Sequence, residues 1–112
     1  VLGYAAAIPA SRQAAPAAPT PESAPTAEVV IELFQFRPGR LTVPVGSRVQ
    51  WTNRDDVLHT VTSGTPGRPT GLFHGELQGK GATFVVRADR PGTIPYFCAR
   101  HDHMRGELVV QP

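Results

Sequence analysis

From Ala27 onward, apolar and polar positions alternate in short runs divided by Gly and Pro, with no long stretch of helical period. Val29, Ile31 and Leu33 hold one phase, then Phe34 and Phe36 take the other, which predicts a bulge or a change of sheet within a strand over 29–36. Val49 and Trp51 alternate cleanly within Arg48–Asn53. Further strands are expected over 41–43, 58–62, 93–98, 106–110 and Thr83–Arg87. Their spacing fits an all-β sandwich. Between Ser63 and Gly81, glycines and prolines recur so densely that a long excursion with little regular structure is expected. Excursions of that kind often carry function.

Composition divides the chain in two. Residues 1–27 are rich in Ala and Pro and carry only Arg12 and Glu22 as charges, so they cannot offset the entropy of ordering a compact fold. They read as a disordered linker, or as the remnant of an export signal or anchor. The apolar opening Val1 to Ile8 ends at Pro9 and contains the small residues Ala5, Ala6 and Ala7. The expected location is therefore extracytoplasmic, with this segment a candidate membrane tether. A Pro-rich spacer extends about 3.1 Å per residue, so residues 9–27 would reach up to roughly 60 Å. Residues 28–112 are left to form one small domain. The net charge of +2 is interspersed and forms no basic stripe, which argues against a nucleic-acid partner.

Cys98 is the sole cysteine, so this small domain has no internal disulfide. Alone it would read as an inert buried thiol. Its neighbours change that reading, because His101 and Met104 follow at three-residue steps in a C-x-x-H-x-x-M run. Thiolate, imidazole and thioether on one tight loop form a soft donor set that favours copper over calcium or magnesium. His59 lies on a strand that an antiparallel sandwich could bring beside the cysteine. Two His, one Cys and a weak Met make a blue-copper donor set. His103 is also close to Cys98, and spacing alone leaves the choice between His101 and His103 open. Zinc fits poorly, since a thioether is a weak fourth ligand for it.

The segment YFCARHDHMRGELVV, residues 96–110, resembles the copper loop of cupredoxins. WTNRDDVLHTV (51–61), SGTPGRPTGLF (63–73) and PGTIPYFC (91–98) extend the similarity to the amicyanin, plastocyanin and pseudoazurin group, over about Val29 to Val110. The resemblance implies a Greek-key β-sandwich with one type 1 copper ion held by His59, Cys98, His101 and Met104. It favours His101 over His103 as the second imidazole. It also implies that Asn53 ties the strand near His59 to the cysteine loop. The exposed edge of His101 is expected to pass electrons, so that a monomer carries one electron between donor and acceptor redox proteins. In the reduced state His101 is expected to leave copper at mildly acid pH. The chain departs from the family pattern at His103, where an apolar residue is usual, and at His74.

Rival functions are weaker. Copper oxidases and nitrite reductases of this fold need His ligands beside the cysteine, whereas Phe97 and Ala99 flank Cys98, so no enzyme is expected. A nucleophilic cysteine would need an orienting acid and an oxyanion site, and neither motif is evident. Copper storage or delivery on the same scaffold is the alternative, and exchangeable binding would mark it.

Overall fold

The computed structural model describes residues 26–112, so the linker and tether expectations fall almost wholly outside the described residues. The described chain is built of strands: β1 Thr26–Glu32, β2 Gln35–Arg37, β3 Arg40–Pro44, β4 Arg48–Asn53, β5 Leu58–Thr65, β6 Arg68–Gln78, β7 Thr83–Arg87, β8 Gly92–Cys98 and β9 His101–Gln111. One sheet has the order β2-β1-β4-β7 and the other β3-β9-β8-β5-β6. Both are mixed, since β1 runs parallel to β4 and β3 parallel to β9, while the other pairs are antiparallel. The result is the Greek-key sandwich expected from the sequence.

The alternating positions meet between the sheets. Val29 and Ile31 of β1, Val49 and Trp51 of β4, Val61 of β5 and Leu108 of β9 are all buried. Trp51 is at the centre, edge-on to Tyr96 at 5.3 Å and tilted against Phe73 and Phe84 at 5.9 and 6.1 Å. Emptying a large aromatic site costs about 3–5 kcal/mol, so this cluster sets much of the stability. Burial pushes the Tyr96 phenol up to about 12, against a smaller lowering by Trp51. The Tyr96 ring lies directly on Gly106, where any Cβ would collide with it.

Two expectations need correction. The segment over 29–36 is not one strand with a bulge but a tight hairpin: Glu32 pairs with Gln35, and Leu33 and Phe34 form the turn. The phase change at Phe34 marked a reversal of direction, so Phe36 returns to the same core from the neighbouring strand. Leu33 and Phe34 have φ of 55° and 58°. Such left-handed conformations cost non-glycine residues about 1–3 kcal/mol each and persist only where the surroundings hold them.

The segment between Ser63 and Gly81 is not irregular. β5 continues to Thr65 and β6 returns antiparallel to it over eleven residues, with a register shift between Thr62 and Gly64. Gly64 serves the bulge and Gly75 a close approach by Phe84 instead of breaking a strand. At Gly64, with φ of 114°, a Cβ would strike the backbone at Arg68 and Pro69.

Candidate metal centre

β5, β8 and β9 bring their chemistry to one end of the sandwich. His59 is the second residue of β5, Cys98 the last of β8 and His101 the first of β9. Ala99 and Arg100 form the connection, so Cys98 and His101 face each other across it. β5 lies beside β8, with Thr62 opposite Phe97, which carries His59 to the same end. Cys98 and His59 are fully buried, and His101 is half-buried.

The donor atoms converge. His59 Nδ1 is 3.7 Å and His101 Nδ1 3.5 Å from Cys98 Sγ. One ligand atom from each residue fits within 4.8 Å of the others.

Asp55 determines which nitrogen of His59 is free. Its Oδ2 is 2.8 Å from His59 Nε2, and its side chain is only 11% exposed. Burial alone would raise the Asp55 carboxyl pKa, but N–H donors from Phe34 and Leu33 and the contact with His59 outweigh it and lower it below the usual range. An ionised carboxylate can only accept, so the proton sits on Nε2 and the Nδ1 lone pair points toward the sulfur. This carboxylate–histidine pairing is the arrangement that fixes the tautomer and orientation of a metal-binding imidazole. Burial lowers the His101 pKa most, and His59, His103 and Arg100 lower it further, with Asp55 opposing.

The sulfur has its own support. The Thr60 N–H donates to Cys98 Sγ at 3.3 Å, and the Ala99 N–H donates to Thr60 Oγ1 at 2.7 Å. Thr60 therefore holds both the sulfur and the residue that follows it. The side chain of Asn53, to which the family resemblance assigns such a tie, bonds to Val57, Leu77 and Asp55. Its amide donates to the carbonyls of Val57 and Leu77 at 2.8 and 3.1 Å, and its oxygen accepts from the Asp55 N–H at 2.9 Å. Asn53 thus orders the turn that presents Asp55.

The remaining sequence candidates are placed as follows. Met104 is buried, and it lines a cleft of about 240 Å³ with Phe34, Gln35, Phe36, His103 and Arg105. His103 is exposed, its ring 6.4 Å from that of His101. His74, 51% exposed, has Nδ1 2.8 Å from Thr62 Oγ1, on the outer side of β6. Neither joins the three converging donors.

Sequence reasoning missed Asp55, Thr60 and Phe34. The spacing of Asp55 four residues before His59 was the only available sign of the first. The ring of Phe34 stands edge-on to both imidazoles, at 5.1 Å from His59 and 4.9 Å from His101.

A mixed nitrogen and sulfur set with a preset imidazole tautomer suits copper well. The chain matches the cupredoxin-like domain family over residues 2–110 and belongs to that family. Its metal is one copper ion, and His59, Cys98 and His101 form the group positioned to bind it. The chain is similar to amicyanin-alpha of Methylorubrum extorquens, at 35% identity over 98% of each chain. It is 29% identical to amicyanin of Paracoccus versutus over 74% of this chain, spanning 63% of that relative's length. A purple cupredoxin from Nitrosopumilus maritimus shares the fold with a TM-score of 0.69 and 27% identity, over 76% of this chain and 99% of that one.

Proposed function

We propose that this protein is a type 1 blue copper electron carrier, with copper held by His59, Cys98 and His101 and by Met104 as a weak axial donor. The domain over 28–112 would carry one electron between two redox proteins outside the cytoplasm, as a monomer and not as an enzyme. Residues 1–27 would serve as its export or tethering segment.

The observation that supports this reading best is the Asp55–His59–Cys98 arrangement, which presents a deprotonated nitrogen to a buried sulfur without needing to move. Bound copper would supply the redox change between Cu(I) and Cu(II). The protein's part is to keep the donors where both states accept them. His59 is fixed on β5 by Asp55, and Thr60 holds the Cys98 sulfur and the N–H of Ala99 after it. His101 is the ligand nearest solvent, so its ring edge is the natural route for the electron. Leu33 and Val57 are exposed apolar residues, on the turn carrying Phe34 and just before β5, and offer a surface for partners.

The test is the visible and EPR spectrum with one equivalent of Cu(II), for the native chain and Cys98→Ser. An intense red-region band with narrow copper hyperfine splitting, both lost in the variant, is the expected result. A colourless protein with ordinary Cu(II) EPR, releasing copper rapidly to a chelator, would favour storage or delivery instead.

A further inference from the structure

The Leu33–Phe34 turn is built from two large residues in a conformation usually given to Asn and Gly. Something must hold it there, and the carboxylate of Asp55 does so. Oδ1 accepts the Leu33 N–H at 2.9 Å and Oδ2 the Phe34 N–H at 3.0 Å. The same Oδ2 contacts His59 Nε2. One carboxylate therefore fixes both a ligand-forming imidazole and the turn above it.

The consequence of that turn is the position of one ring. Phe34 meets His59 and His101 edge-on and is only 37% exposed, with its other side forming a wall of the cleft that also reaches Met104. That cleft carries His103 and Arg105, groups that draw small anions. The ring therefore borders both that cleft and the two imidazoles.

We propose that Phe34, positioned by Asp55, closes the metal centre to water and small anionic ligands. The proposal rests on the copper reading, but part of its test does not. Phe34→Gly suits the experiment because glycine adopts this φ without strain, so the ring is removed while the turn is kept. In the metal-free protein, alkylation of Cys98 by iodoacetamide is expected to be about tenfold faster in Phe34→Gly than in the native chain. Leu33→Gly, which alters the same turn without touching an imidazole, is expected to leave the rate unchanged. Phe34→Leu should restore most of the protection. Asp55→Ala should also expose the thiol, by releasing the turn that carries the ring.

In the Cu(II) protein, azide titration should give a saturable spectral change in Phe34→Gly alone. Equal alkylation rates in the native and Phe34→Gly chains would overturn the proposal, as would acceleration by Leu33→Gly of the same size. A chain that fails to bind copper would overturn the electron-carrier reading, while the alkylation comparison would still decide the role of Phe34.

Discussion

His59 and His101 turn the same nitrogen toward the same sulfur, from 3.7 and 3.5 Å, yet they belong to differently built regions. His59 is in a strand, wholly buried, with its far nitrogen held by a carboxylate. His101 follows a two-residue connection and is half-buried, with its ring against Phe34, His59 and His103. The first region supplies rigidity and the second supplies access. A carrier needs both, because a donor set that is fixed everywhere has no edge for a partner, and one that is exposed everywhere reorganises with each electron.

Removing each ring in turn gives the sharpest contrast. His101→Gly should leave an opening to solvent that added imidazole can refill, recovering the thiolate-to-copper colour. His59→Gly should leave a sealed void beside Asp55 that imidazole does not restore. Equal rescue of both, followed by absorption spectroscopy, would remove the distinction between the regions.

A smaller effect is expected at the link between them. Thr60→Val would leave the Ala99 N–H without its acceptor, at a cost of about 1–3 kcal/mol in urea unfolding. Thr60→Ser keeps the hydroxyl and should recover most of it. If the link matters mainly to the loop, Thr60→Val should speed copper loss more than it broadens the melting transition.

The smallest expected effect is on pH dependence. In the metal-free protein the folded state resists protonating His101, while the unfolded chain takes up that proton near the ordinary imidazole value of about 6.5. The unfolded state then binds more protons, so stability should decline as pH falls below that value. Asp55 adds a second stage: its contribution is present above about pH 3.9 and is lost as pH falls through its lower folded pKa. Urea melts between pH 7 and 5 should slope downward toward acid, and His101→Gln should flatten that slope.

The strands around Val29, Ile31, Val49 and Trp51 were legible because burial on one face imposes a period of two on the sequence. Cys98 and His101 were legible from chemistry and spacing, since few sequences place thiol, imidazole and thioether at three-residue steps. The hairpin at Leu33 and Phe34 was hidden because its residues are poor turn formers, and what stabilises them lies on Asp55, twenty-two residues away from Leu33. The strand β6 was hidden for the opposite reason. Its glycines look like breaks in sequence but accommodate neighbours in space, such as the ring of Phe84 lying over Gly75. Local pattern reports the average environment of a strand, and it misses contacts that only the completed sandwich creates.

The short connection between Cys98 and His101 has a consequence for assembly. Parallel pairing of β1 with β4 and of β3 with β9 joins distant parts of the chain, a topology that closes slowly. The thiol and the second imidazole, by contrast, are neighbours even in the unstructured polypeptide, and a copper ion meeting the nascent chain can be captured there before the sheets form. Only His59 is added by folding. Because the unfolded chain retains affinity of its own, copper raises stability by less than its grip on the finished protein would suggest. The ion can thus arrive first and leave the sandwich to close around it.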